Sequence, residues 1–276
     1  MIPSHFASSL QVSISAEPLF RIGSFVVTNS ILTGVIGLLI TVGVFWYVVS
    51  HVRRGKYNRF VGLFSWVFEG LLNQIRDIIP DAKLARQITP LAISIFFFIL
   101  FNYWLSVIPG LGSITIGGHP LFLSLTADLN FTLALALITV VVVQAYAIKY
   151  LGVFGSVGRY LKNPFKSPIG AFEGVLELIG EFSRGLALAL RLFGNAFAGE
   201  VLLLIVGILT GYLSALALPV FMGFELFIGF IQAYVFFVLT LIFTSLAVSG
   251  HGDPAADHES PIGTAATPEA IDSAHA

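Results

Sequence analysis

The sequence predicts an all-α polytopic membrane protein with about three upright transmembrane helices, a cytoplasmic interfacial amphipathic helix and a C-terminal pair of long membrane helices. Two observations predict it. Of 276 residues, 57% are hydrophobic and 11% are charged, under half the roughly 25% charge of a soluble domain. The charges are also clustered, which leaves uncharged stretches long enough to cross a bilayer. These numbers exclude a soluble globular enzyme and a disordered chain. A net charge of -1 offers no field for nucleic acid. With no Cys there is no disulfide framework, thiolate nucleophile or zinc–thiolate site. The 27 Gly and 26 Phe suit helices packed in lipid.

The elements follow in order. Residues 1–25 form an outer N-terminal segment, and Ile22 to Ser50 contains no Asp, Glu, Lys or Arg. The first span is therefore placed at about Val26 to Val49. No basic segment precedes it and no cleavage pattern follows, unlike a secretory signal. Between Tyr57 and Ile79, apolar residues recur at Phe60, Phe64, Val67, Leu71, Ile75 and Ile78, opposite Ser65, Glu69, Asn73, Arg76 and Asp77. That pattern is an amphipathic helix lying on the interface. A second span at about Ile88 to Ile108 ends at an outer loop rich in Pro and Gly, and a third runs from about Leu129 to Ile148. Two long helices then fill about 169–249, with Gly211 and Pro219 in the expected turn. The membrane domain thus covers 26–249. The tail, 250–276, is poor in large apolar residues and reads as disordered and cytoplasmic. Its His251, His258 and His275 lack metal-ligand spacing.

Of the 14 basic residues, one precedes the first span, seven follow it, four follow the third, and two lie inside the later helices. Basic loops stay in the cytoplasm. The N-terminus is therefore expected outside, and the loops after spans one and three inside.

The informative region is Ser167 to Ser249, which holds Glu173, Glu177, Glu181, Arg184, Arg191, Asn195, Glu200, Glu225 and Gln232 among apolar runs. An ionisable residue in a membrane costs about 2.5–3.5 kcal/mol even on insertion scales, so such groups should face a water-filled path or an oppositely charged partner. Glu173, Glu177 and Glu181 share a helical stripe. Arg184 and Arg191, seven apart, share a face, and Asn195 lies one turn beyond Arg191. Glu200 is nearly opposite Arg191, which argues against an ion pair between them. Glu225 and Gln232, seven apart, also share a face.

Each has a plainer reading. Glu173 and Glu181 fit the polar face of an interfacial helix equally well, and Arg184 suits a snorkelling anchor. Glu200 and Glu225 could be structural hydrogen-bond partners inside the bundle. Asp128 with Asn130 suits a cap on the third span. Arg191, far from either flank in Leu-Ala-Leu-Ala-Leu-Arg-Leu-Phe-Gly-Asn, cannot readily snorkel.

The stretch Leu190-Arg191-Leu192-Phe193-Gly194-Asn195-Ala196-Phe197-Ala198-Gly199-Glu200 closely resembles the signature of F-type ATP synthase subunit a. Gln232-Ala233-Tyr234-Val235-Phe236 is similar to that family's second signature, and Ala127-Asp128-Leu129-Asn130 and Pro90-Leu91-Ala92 also resemble family positions. The resemblance runs from about Phe25 to Val248. It implies that Arg191 is the essential arginine facing a carboxylate of the c-subunit ring, with Asn195 and Gln232 as its polar neighbours. It also implies that Glu200 and Glu225 line a half-channel from the outer side, and that Glu177 belongs to the cytoplasmic exit path. Glu225 stands where bacterial relatives often carry His. Tilted final helices, b-type peripheral stalk subunits, the rest of the ATP synthase complex and a bacterial inner membrane are further implications. A thylakoid-type membrane fits less well.

The sequence contains no G-x-x-x-x-G-K-[ST] motif, so nucleotide chemistry is expected in another subunit, and no cofactor or metal is expected here. The main alternative is a secondary transporter whose buried Arg binds an anionic substrate, although no internal repeat is apparent. An intramembrane hydrolase is disfavoured because no His lies in the last two helices.

Overall fold

The computed structural model describes residues 18–23, 25–108, 115–116, 119–120, 123–160 and 168–249. The C-terminal tail, with its three histidines and expected disorder, lies outside the described residues. So does most of the N-terminal segment.

Pro18–Ile22 (β1) and Phe25–Thr28 (β2) form an antiparallel hairpin that feeds Asn29–Arg53 (α1). Thr28 Oγ1 accepts from the Ile31 amide, so the helix starts at Asn29 rather than Val26. His51 and Arg53 occupy its last turn, where cations suit the helix dipole.

Arg59–Ile78 (α2) buries Val61, Phe64, Leu71 and Ile75 and exposes Glu69, Asn73, Arg76 and Asp77. Phe60 departs from the expected apolar face: it is 47% exposed. The packed face is centred on Val61 and Phe64, and Phe60 lies one residue step to its side. Pro80 follows the helix and disfavours its continuation. Ala82–Val107 (α3) starts on Asp81, whose Oδ1 accepts from the Lys83 amide at 2.9 Å.

Two-residue strands Thr115–Ile116 (β3) and His119–Pro120 (β4) pair in the connection that follows. A 3-10 turn, Leu125–Ala127, then leads into Leu129–Tyr160 (α4). This helix runs past the expected end at Ile148, with a break in helical geometry at Gly152 (φ 77, ψ 164). Its membrane-length part is Leu129–Val153.

Pro168–Thr210 (α5) and Ser214–Ser249 (α6) are joined by the turn Gly211–Leu213, where Gly211 adopts φ 51. Pro219 lies inside α6 rather than in the turn. Its missing N–H forgoes one backbone bond near the helix start, a loss the helix absorbs. At 1.5 Å per residue the 43 residues of α5 extend about 65 Å. That is twice the ~30 Å hydrocarbon core, so α5 cannot stand upright within it.

The core is built on α3. Ile88, Ala92, Phe96 and Ile99 are fully enclosed, and Tyr103 is 1% exposed. Phe96 meets Phe237 of α6, while Phe97 stacks on Phe64 of α2 at 4.5 Å and meets Phe45 of α1 edge-on. Four apolar stretches are long enough to cross a membrane, including Phe172–Ser249, among the described residues. The architecture is the expected helical membrane protein, with two small hairpins added.

Candidate functional site: two polar clusters on either side of Arg191

One cluster gathers around Glu225, which is 3% exposed on α6. Its Oε1 accepts from Tyr103 Oη at 2.5 Å. The carboxyl lies against Gly199 of α5, where an added Cβ would come within 1.8 Å of Oε1. This close approach brings Glu225 beside Glu200, the next residue of α5, and the two carboxyls interact electrostatically. Glu200 also accepts a hydrogen bond from the backbone of Ser124, next to the 3-10 turn.

The seam continues toward α1. Ser124 Oγ and Thr126 Oγ1 are 2.9 Å apart. Asp128 Oδ2 accepts from Ser30 Oγ of α1 at 2.7 Å, while its Oδ1 accepts from the Asn130 amide at 2.9 Å. Asp128 is therefore a helix cap and a tether at once, whereas the Asn130 side chain is exposed. Five helices and a turn contribute to this polar seam. Buried polar groups in an apolar medium require such partners.

The second cluster lies toward the other end of α5. Glu181 accepts from Gln144 and Tyr160 of α4, and Gln144 Nε2 is 3.1 Å from the Tyr160 hydroxyl. Arg184 Nη2 stands 4.0 Å from Glu181 Oε2, and its guanidinium lies 5.7 Å from the Phe243 ring centre. Glu177, Glu181 and Arg184 border a cavity of about 200 Å³ that also reaches Thr139 and Ser249. Glu173, one turn further out, is exposed and does not line it.

Arg191 sits between the clusters. Glu200 lies nineteen residue steps beyond Glu181, about 28 Å of helix, and Arg191 is near the midpoint. It is exposed on a helix whose exposed face there also carries Ser183, Ala187, Gly194 and Ala198. It makes no hydrogen bond or ion pair among the described residues. Glu200 faces the interior, as the half-turn offset from Arg191 requires. Arg184 shares Arg191's face by spacing, yet its head group turns toward Glu181 and Phe243. Asn195 is half-buried, and Gln232 is 9% exposed on α6.

Sequence reasoning missed Tyr103, Ser124, Ser30, Gln144 and Tyr160. Gln144 carried a signal, as a lone amide within Val-Val-Val-Gln-Ala-Tyr-Ala. Tyr103 carried none, because a Tyr in an aromatic helix reads as core or interface.

Residues 31–245 match the ATP synthase A chain family. The chain is 33% identical over 231 residues to ATP synthase subunit a of Mycobacterium marinum, covering 82% of this chain and 89% of that protein. It is 30% identical over 243 residues to ATP synthase subunit a of Acidothermus cellulolyticus, covering 88% and 84%. With the corresponding protein of Desulforamulus reducens the identity is 35% over 213 residues, covering 75% and 74%. The membrane-length helices and a match over most of the chain agree: the chain belongs to the ATP synthase A chain family, as an integral-membrane subunit of the ATP synthase membrane sector.

Proposed function

We propose that this subunit is the stator element that couples proton flow to rotation of a c-subunit ring. Protons reach the ring through the seam at Glu200 and Glu225 and leave through the cavity bordered by Glu177, Glu181 and Arg184. The observation that carries this reading is the position of Arg191, exposed and unpaired between two separate polar clusters.

The mechanism follows from electrostatics. A proton delivered near Glu200 and Glu225 neutralises a ring carboxylate. A neutral carboxyl can turn into lipid, whereas a charged one cannot. When the carboxyl meets Arg191, the fixed positive charge favours its ionised form and the proton leaves toward the cytoplasm. Arginine does not deprotonate in proteins, so Arg191 also blocks direct leakage between the clusters. Each charge crossing gains about 2.3 kcal/mol per 100 mV. The small side chains Ser183, Ala187, Gly194 and Ala198 allow a partner helix to approach Arg191 closely. Asn195 and Gln232 supply neighbouring polar groups.

In this reading the chain is a non-catalytic subunit of a bacterial inner-membrane complex, held by b-type peripheral stalk subunits. Its N-terminus is outside, and the basic loops and tail are cytoplasmic.

The test is Arg191→Ala in the assembled complex. ATP-driven proton pumping should be abolished while the c-ring still co-purifies. Normal pumping by that variant overturns the mechanism. A secondary transporter would instead lose uptake of an anionic solute and would not co-purify with a c-ring.

A further inference from the structure

We propose that the groove between α1 and α3 is a binding site for one acyl chain of an anionic phospholipid, with Arg53 holding its phosphate. The groove has a volume of about 660 Å³ and is bordered by Thr41, Phe45, Trp46 and Arg53 of α1 and by Ser94 and Phe98 of α3, among others.

The reason for the groove lies in the sequence of α1. Toward its start α1 is closely covered: an added Cβ at Gly37 would meet Asn102 of α3, and one at Gly34 would come within 2.7 Å of a Leu125 methyl in the 3-10 turn. Further along, Phe45 packs against Phe64 and Phe97 and borders the opening, with Trp46 exposed at its edge. The opening is therefore confined to one half of the span.

Its dimensions select the occupant. From Leu38 to Val49 is eleven residues, about 16 Å of helix. That matches one leaflet, half of a ~30 Å hydrocarbon core. A transmembrane helix from another subunit would need a groove along the whole span, and the contact of Gly37 with Asn102 ends this one short of it. One turn beyond Val49 lies Arg53, exposed and with no ion-pair partner among the described residues, followed by Arg54 and Lys56. Basic side chains at the end of an apolar groove complement an anionic head group. The Trp46 indole, 74% exposed, borders the acyl region two turns before Arg53. Assignment to the cytoplasmic leaflet rests on the topology proposed above; the choice of an anionic lipid does not.

The experiment uses the assembled complex in phosphatidylcholine vesicles containing a trace of photoactivatable phosphatidylglycerol or, separately, photoactivatable phosphatidylcholine, each with the reactive group on one acyl chain. Both leaflets then offer lipid, so an inverted topology would not hide the site. Labelled peptides should map to α1 residues 38–50 and α3 residues 94–98, with about a fivefold preference for phosphatidylglycerol, the factor one nearby Arg supplies. Arg53→Gln should bring the two probes close to parity. Val42→Trp, a substitution on an exposed side of the groove, should reduce labelling by both. Co-purification of the c-ring checks that each variant is assembled. Equal labelling by the two probes in the native complex overturns the proposal. So does an unchanged preference in Arg53→Gln, or protection of the groove by a cross-linked polypeptide.

Discussion

Tyr103 donates its phenolic proton to Glu225 Oε1 at 2.5 Å, across 122 residues of sequence. The pair joins α3, the centre of the core, to α6 at the point where α6 meets Gly199 of α5. The carboxyl is thus held by a hydroxyl on one side and by the absence of a side chain on the other. Tyr103→Phe removes only the hydroxyl. Loss of a hydrogen bond inside a membrane bundle costs about 1 kcal/mol, so the complex should still assemble. Passive proton flux through the membrane sector should fall severalfold. In Glu225→Gln, the same Tyr103→Phe change should cost much less, because the carboxylate it positions is gone. Equal costs in both backgrounds would make Tyr103 a packing residue only.

Glu200 and Glu225 should act as one route. Glu200→Gln and Glu225→Gln should each slow passive proton flux, and the double variant should lose less than the product of the two effects. Strict multiplicativity would indicate separate roles. Full flux in both single variants would remove the pair from the pathway.

Gly199→Ala tests the close approach directly. The added Cβ meets Glu225 Oε1 at 1.8 Å and Cδ at 2.2 Å, so the carboxyl must move or the helices must part. Proton-driven ATP synthesis should drop by at least as much as in Glu225→Gln. Gly207→Ala, two turns further on the same helix, meets nothing nearer than 3.9 Å and should be nearly neutral. Comparable losses in the two variants would show that α5 simply tolerates alanine poorly.

The cluster around Glu181 predicts a different phenotype. Gln144→Leu and Tyr160→Phe each remove one donor to Glu181. Each should slow proton release without affecting assembly, read as reduced ATP-driven pumping in inverted vesicles. Together with Glu181→Gln, the losses should be strongly non-additive, since all three changes affect one network. Normal pumping in all three variants would leave Glu181 as a structural tie between α4 and α5.

Topology can be tested without background labelling, because the native chain has no Cys. Lys56→Cys should react only from the cytoplasmic face, and Ser214→Cys, at the start of α6, only from outside. Reaction of position 56 from outside in sealed cells would contradict the proposed orientation.

The sequence by itself determined the class of this protein and the order of its helices. Uncharged runs of fixed length report spans because burying backbone in lipid leaves helices as the solution for such runs. The period of Phe64, Leu71 and Ile75 reported α2 for the same kind of reason: one face meets protein and the other does not. Arg191 was legible because a charge deep in an apolar run is costly wherever it points. Boundaries were less legible. Thr28 capped α1 three residues late and Pro219 entered α6, since caps and prolines are decided by local hydrogen bonding that several registers could satisfy. The pairing of polar groups was decided by tertiary structure alone. No periodicity within α3 announces that Tyr103 meets Glu225, because their meeting depends on how closely α5, α6 and α3 pack at Gly199. The same holds for Gln144 and Tyr160 around Glu181. A helix specifies which side chains share its own face; which faces meet is settled only when the bundle closes.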